Sequence, residues 1–379
     1  MIGVPAEGLF VGRVWRKDIG PSLVVLRNGS LFDITTRDAP TMRDLLEQPD
    51  IPAFIAGMEG ERIGTLEAIA ENSIEPTAET TYLLAPCDLA AVKACGVTFA
   101  GSMVERVIEE RASGDPTRAQ MIRDRVSAVI GDSLLGLEPG SEKAAEVKQL
   151  LIAEGLWSQY LEVGIGPDAE VFTKGQPMSA VGWGATVGLH PVSAWNNPEP
   201  EVVLAVSSTG RIVAATLGND VNLRDVEGRS ALLLGKAKDN NASAAVGPML
   251  RIFDQGFGMD DVRRLELTLR VEGEDGFVLN GVSSMSQISR DPADLVRQAR
   301  GRHHQYPDGL VLFLGTLFSP VQDRGAPGQG FTHHLGDVVT IAAQELGNLR
   351  NTVRLSTEAP EWTFGTAALM RNLAGRGLL

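Results

Sequence analysis

The stretch Pro198–Pro248, PEPEVVLAVSSTGRIVAATLGNDVNLRDVEGRSALLLGKAKDNNASAAVGP, carries three carboxylates and a lysine that its local structure draws together. Glu201–Val206 and Arg211–Leu217 are β-branched and apolar runs separated by the turn cluster Ser207–Gly210, a β-hairpin pattern. With the turn centred on Ser208 and Thr209, residues whose numbers sum to about 417 face each other. Glu199 then faces Gly218, Glu201 faces Thr216, and Asp220 emerges at the open end beside Glu199. Glu199 and Glu201, two apart, share one face of the strand. Pro200 between them lacks an N–H, which suits the first residues of a strand or an edge. Carboxylates converging at a strand end repel one another and take up protons unless a cation neutralises them. All-oxygen ligation suits a hard ion, Mg2+ first, with Mn2+ or Ca2+ as alternatives. An acidic chain also supplies such carboxylates as ordinary solvated loop side chains, and spacing alone leaves both readings open.

The 379 residues carry 34 Lys and Arg against 48 Asp and Glu, a net charge of −14 with no basic block. Nucleic acid and anionic membranes both require a positive footprint, so neither is an expected partner. An anionic substrate would be repelled at long range and must be captured by local cations, for which a bound metal ion and Lys238 are the candidates. Cys87 and Cys95 are the only cysteines. That usage suits a reduced, cytoplasmic setting, and no stretch has the length and hydropathy of a membrane span. Abundant glycine (42) and scarce aromatics (5%) favour a turn-rich, β-rich enzyme over a helical bundle.

Outward from the hairpin, residues 1–80 read as a small N-terminal module. LFVGRVWRK, SLVVLRNGSLFDIT and PAFIAGM give its short β-like runs, and helix candidates start near Thr41 and Thr65. The main domain spans 81–379. Val92–Phe99 reads as a buried strand leading into a helix over Ser102–Ala112. On it Met103, Val104, Val107 and Ile108 form one stripe, and Glu109 and Glu110 read as a solvated face. Amphipathic helices are expected over Thr117–Ile130 and Glu142–Trp157. Glu170–Lys174 alternates, placing Glu170, Phe172 and Lys174 on one face. A strand carboxylate beside Phe172 is either a proton carrier with a raised pKa or an exposed strand residue. Beyond Pro248, two runs within Glu266–Ser286 read as a hairpin, Pro292–Arg302 as a helix and Gly309–Leu317 as a buried strand. The pairs His303–His304 and His333–His334 lack the i,i+4 spacing of a metal site and have no accompanying carboxylate spacing, so they read as incidental. Gly182–Gly188 has the wrong glycine spacing for a dinucleotide fingerprint, and Gly228–Lys236 is not a P-loop.

GNDVNLRD (Gly218–Asp225) followed by GKAKDNNASAAVGP (Gly235–Pro248) resembles the signature of the fumarylacetoacetate hydrolase superfamily. CGVTFAGSMVE (Cys95–Glu105) resembles the family's Gly-Leu-Asn-Tyr-x-x-His-x-x-Glu stretch, and EVFTK its Phe-x-Lys strand. LGT (Leu314–Thr316) resembles its Thr-Gly-Thr, and LGDVVTI and LGNLRNTV its closing strands. The resemblance runs in order from Pro86 to Leu355. It implies an α+β, β-rich fold, a mixed β-sandwich roll catalytic domain with a small N-terminal α/β module. It also implies Glu199, Glu201 and Asp220 as metal ligands, with Lys238 as the substrate-facing lysine.

Two departures narrow the expectation. Ser102 stands where the C–C hydrolases of the family carry their catalytic His, so the water-activating His-Glu pair is missing although Glu105 remains. The interval of nineteen residues from Glu201 to Asp220 is shorter than in most members. Both features, with the run Gly315–Asp337, resemble the branch that dehydrates 2-keto-3-deoxy sugar acids. The implied reaction converts a 2-keto-3-deoxypentonate to 2-oxoglutarate semialdehyde through a metal-stabilised enolate, as in non-phosphorylative pentose catabolism. Within that implication Glu170 is the base and, returning its proton directly or through water, the candidate acid for the C4 hydroxyl. Lys238 holds the substrate carboxylate or stabilises the enolate, and Glu105, near the pocket mouth, and Ser102 complete the catalytic candidates. Thr316 resembles part of a carboxylate-binding loop, with Asn219 and Arg224 as supporting groups. A homodimer or homotetramer is expected from the family. The alternatives are hydrolysis of a 2,4-diketo acid or acylpyruvate on the same metal, a decarboxylase or tautomerase sharing the enolate, and a non-catalytic sugar-acid binder.

Overall fold

Every residue of the strand Pro200–Val206 is buried, because each of its faces meets a different core. Val202, Leu204 and Val206 enter the large central core, Val203 packs with Val311 and Phe313, and Ala205 packs with Val25 and Leu250. A strand covered on both faces reads as a continuous apolar run. The computed structural model describes residues 2–119, 121–122, 134, 136–153, 155, 157–316, 318, 320–324 and 330–379.

In chain order the strands are β1 (Phe10–Arg16), β2 (Gly20–Arg27), β3 (Ser30–Asp33), β4 (Glu61–Thr65), β5 (Tyr82–Leu84) and β6 (Ala91–Gly96). There follow β7 (Glu170–Gly175), β8 (Thr186–Leu189), β9 (Pro200–Val206), β10 (Ile212–Asp220) and β11 (Ala244–Ile252). The last are β12 (Glu266–Glu272), β13 (Val278–Ser284), β14 (Leu310–Phe313), β15 (Val338–Ala343) and β16 (Gly347–Leu355). Among the described residues eleven strands form one mixed sheet in the order β4-β3-β2-β1-β11-β10-β9-β14-β6-β7, with β5 on β1. A five-stranded sheet runs β13-β12-β15-β16-β8.

The smaller sheet shows the alternation of a half-buried surface. Leu267, Leu269 and Val271 of β12 point inward while Glu266, Thr268, Arg270 and Glu272 face solvent. Its inward side chains share one core with Val202, Leu204, Leu217 and Met249 of the larger sheet, which makes the two sheets a sandwich. This is the β-rich α+β architecture expected from the resemblance. Within residues 1–80, β1 pairs antiparallel with β11, Val11 opposite Leu250, so these strands continue the central sheet.

Several local expectations differ. PAFIAGM, expected as a β-like run, contributes to the helix Ile51–Ala56. The Asp50 side chain caps it by accepting the Ala53 N–H at 3.0 Å, and Pro52 sits in its first turn, where a missing N–H costs nothing. The Val92–Phe99 strand ends at Gly96, because Val97 turns to φ 58° and the helix starts at Ala100. A β-branched residue at positive φ is strained. The helix expected over Thr117–Ile130 lies mostly outside the described residues. The next spans Glu142–Ala153. The strand expected to reach Leu317 ends at Phe313, and Leu317 is outside the described residues.

Candidate metal centre

The β9–β10 hairpin reaches the expected convergence through a different register. Glu201 lies opposite Gly218 and Pro200 opposite Asn219, two positions from the expected pairing. One step comes from the three-residue loop Ser208–Gly210, in which Gly210 takes φ 88°. The other is a bulge between Ile212 and Ala214. Because the side-chain period is two, the two single steps leave every residue on its expected face. The Asp220 N–H therefore donates to the Glu199 carbonyl at 3.0 Å. Pro200 opens β9 beyond the reach of β14, so its missing N–H breaks no ladder.

Glu199, Glu201 and Asp220 are buried, and one carboxylate oxygen from each lies within 4.8 Å of the others. Three cations reach this cluster from separate elements. Lys238 Nζ is 2.5 Å from Glu199 Oε2 and 3.2 Å from Asp220 Oδ2. Lys174 Nζ, fully buried on β7, is 2.7 Å from Asp220 Oδ1 and donates to the Val221 carbonyl at 3.2 Å and to the Lys238 carbonyl. Arg106, on the helix Ala100–Ala112, binds Glu199 through Nη2. Glu201 accepts the Gly315 N–H at 2.7 Å. That approach needs glycine, because Gly315 has φ 98° and a Cβ there would fall 2.0 Å from Thr98 Oγ1.

The triad forms the floor of a pocket also lined by Gly96, Ser102, Arg106, Glu170, Phe172, Glu227, Lys238 and Thr316. Among the described residues five carboxyl groups line it against two cations, Arg106 and Lys238. Glu201 is held well above the usual carboxylate range by burial and by Asp220 and Glu199. Burial also acts upward on Glu199, but Lys238 and Arg106 outweigh it and hold that carboxyl below its ordinary value. Burial, then the charge of Glu227, pushes Glu170 up to about 7 against Arg106 and Lys238. Glu227 is itself raised by burial despite Arg106 and Lys238. An all-carboxylate triad with excess buried negative charge fits a hard divalent cation.

The remaining sequence candidates fall in different places. Ser102 reaches the pocket wall, but its hydroxyl donates to the Phe99 carbonyl at 2.8 Å and accepts the Phe99 N–H at 3.3 Å, capping the helix. Thr316 lines the pocket while its hydroxyl donates to the Phe318 carbonyl at 3.0 Å. Asn219 and Arg224 stand behind the wall. Asn219 Oδ1 accepts the Glu199 N–H at 3.2 Å. Arg224 joins Glu105 at 3.1 Å and Glu109 at 2.6 Å, with its guanidinium 4.8 Å over the Trp195 ring.

Sequence reasoning missed Arg106, Glu109, Lys174 and Glu227. Glu109, expected on a solvated face, is 1% exposed because Arg106, at 2.6 Å, and Arg224 neutralise it in the interior. The available signal was Arg106, a cation flanked by Met103 and Val107 on the apolar stripe. His333 also departs from the expectation of an incidental pair. It is buried with Nδ1 2.9 Å from Asp337 Oδ2, an i,i+4 carboxylate that Arg324 also binds at 2.5 Å.

The fumarylacetoacetate (FAA) hydrolase C-terminal model matches residues 165–354, half of the chain, and the protein belongs to this family. The chain is 30% identical over 194 residues to a probable 2-keto-3-deoxyxylonate dehydratase of Haloferax volcanii, covering 51% of this chain and 63% of that protein. It is 28% identical over 185 residues to a 2-dehydro-3-deoxy-D-arabinonate dehydratase of Saccharolobus solfataricus, covering 49% and 58%. A solved structure of 2-keto-3-deoxy-D-arabinonate dehydratase complexed with magnesium and 2,5-dioxopentanoate superposes with a TM-score of 0.62. It shares 20% identity, over 91% of this chain and 99% of that one. The fold is shared with that structure, and the alignments to the two curated relatives span less than two thirds of their lengths.

Proposed function

We propose that the protein is a divalent-metal-dependent hydro-lyase that converts a 2-keto-3-deoxypentonate to 2-oxoglutarate semialdehyde, also called 2,5-dioxopentanoate, in non-phosphorylative pentose catabolism. One observation carries the choice of reaction. The Ser102 hydroxyl is engaged in capping a helix, whereas Glu170, a carboxyl with a pKa near neutrality, lines the wall of the triad's pocket. Hydrolysis needs a base aimed at water, and removal of a proton beside a keto group needs a base aimed at carbon. The names of the two curated relatives support the same reading.

Glu199, Glu201 and Asp220 are the residues that would hold the metal, with Mg2+ as the expected ion. When bound, it supplies Lewis acidity that polarises the 2-keto group and acidifies C3. Glu170 takes the C3 proton. Its near-neutral pKa matches the demand for a base that is substantially ionised at working pH yet strong enough to take a proton from carbon. Lys238 gives the acidic pocket a positive group for the substrate carboxylate, while Phe172 packs beneath its ammonium, 5.7 Å from Nζ to ring centroid. Asn219, Arg224 and Glu105 hold the wall that presents these groups.

The test is incubation of the purified protein with both C4 epimers of 2-keto-3-deoxypentonate, with Mg2+ or with EDTA, and trapping of the aldehyde. Metal-dependent aldehyde from one epimer is the expected result. Cleavage of acylpyruvates with no aldehyde from either epimer would replace dehydration by hydrolysis.

A further inference from the structure

Elimination of water across C3–C4 requires a base at C3 and an acid at the C4 hydroxyl. Among the described residues the pocket holds two carboxyl groups beyond the carboxylate triad, Glu170 and Glu227. Glu170 opens β7 and is the less buried of the two. Glu227 is 3% exposed and ends the helix Arg224–Glu227, which lies shortly after Asp220, the last residue of β10. Its main chain is held by the Tyr160 hydroxyl, which donates to the Glu227 carbonyl at 3.3 Å. Its Oε2 lies 3.1 Å from Arg106 Nη1 in an ion pair yet, among the described residues, receives no hydrogen bond. A buried carboxyl oxygen without a donor is costly unless it carries a proton or meets a ligand group. Glu227 is also the strongest charged influence on Glu170. Two neighbouring carboxyls in one buried site divide into an ionised and a protonated member.

We propose that Glu227 is the general acid that protonates the departing C4 hydroxyl, an inference resting on the dehydratase reading above. Glu170 takes the C3 proton and the C3–H electron pair becomes the second C3–C4 bond. The C4–O pair leaves with oxygen, and the Glu227 proton completes a water molecule. Glu227, now ionised, then removes a proton from C5 while Glu170 returns its proton to C3. The product is the C4–C5 enol, which becomes the aldehyde, and both carboxyls are back in their starting states.

The experiment compares wild type with Glu227→Gln on the 2-keto-3-deoxypentonate and on its 4-deoxy-4-fluoro counterpart, whose fluoride leaves without a proton. Solvent deuterium uptake at C3 and metal content are read in parallel. Water loss is expected to fall by about 10²-fold or more, the size of a general-acid contribution. Fluoride release, deuterium uptake and metal content stay close to wild type. Equal loss on both substrates, or undiminished water loss, overturns the acid assignment while leaving the dehydratase reading in place. A wild-type protein that exchanges C3 protons but forms no aldehyde overturns the reading itself. If Glu227→Gln does not fold, Glu227→Asp is put through the same hydroxide-against-fluoride comparison, with the same outcomes deciding.

Discussion

Gly96 and Glu170 lie opposite each other where β6 meets β7, and a Cβ placed on Gly96 would fall 2.0 Å from Glu170 Oε2. The carboxylate rests against the bare glycine backbone. Gly96→Ala is therefore expected to push the Glu170 carboxylate out of place while leaving the fold intact, since the obstructed atom is the end of a flexible side chain. Turnover should fall by about tenfold to a hundredfold, within the cost of a misplaced catalytic group. Metal content should stay at the wild-type level. Wild-type turnover in Gly96→Ala would contradict the position given to Glu170.

The pH profile of kcat/KM should carry a limb set by Glu170. A base must be ionised, so activity rises with pH up to about 7, and it falls again at higher pH where Glu227 loses the proton an acid must carry. Glu170→Gln should remove that limb and lower turnover by about 10²-fold or more with substrate affinity largely kept. Stability runs the other way. The folded value, about 7, exceeds the ordinary 4.5, so the contribution is complete below pH 4.5 and is lost as pH rises to about 7. Denaturant midpoints for Glu170→Gln should be flatter over that window than those of wild type.

Beside the Glu227 carboxyl, Arg106 compensates two buried carboxylates, those of Glu109 and Glu199. Arg106→Met leaves them uncompensated and is expected to destabilise the protein by about 3–5 kcal/mol in urea unfolding. Lys148→Met breaks the half-exposed pair with Glu162 and the contact of its ammonium with the Trp157 ring, 5.0 Å from Nζ to centroid, and should change stability by about 1 kcal/mol or less. Equal effects of the two substitutions would contradict the account of a buried charge network.

Gly218 lies one residue before Asn219 and two before Asp220, and a Cβ there would meet Phe313 Cε1 at 2.3 Å and Val203 Cγ2 at 2.6 Å. Gly218→Ala forces a core shift on the strand that carries Asp220. It should cost about 1–3 kcal/mol in denaturant unfolding and weaken metal binding measured by calorimetry. Unchanged stability would mean that the core around Phe313 yields more easily than its packing indicates.

The parts of the site legible in the sequence are those written in local periodicity. The alternation of β9 and β10 put Glu199, Glu201 and Asp220 at one strand end, and the alternation of β7 put Glu170, Phe172 and Lys174 on one face. The register differs by two residues from the pairing the turn residues predict, because neither the three-residue loop nor the bulge before Ala214 has a strong sequence mark. Their effects on side-chain facing cancelled. The Arg106–Glu109–Glu227–Arg224 network was not legible, because its members lie on separate segments and only tertiary packing buries them together. A charged residue on an apolar helical stripe was its one local trace. PAFIAGM departs from the expected β-like run because an apolar run this short fits strand or helix alike, and the Asp50 cap selects the helix.

Metal titration tests the central claim most directly. Metal-stripped protein is titrated with Mg2+ in the presence of 2-keto-3-deoxypentonate, calorimetric binding and aldehyde formation are followed together, and Asp220→Asn serves as the control. Aldehyde should appear in step with binding of a metal ion in the wild type, and neither should occur in the variant. Full turnover by the metal-stripped protein, or wild-type metal binding by Asp220→Asn, would contradict a metal-dependent dehydratase built on Glu199, Glu201 and Asp220.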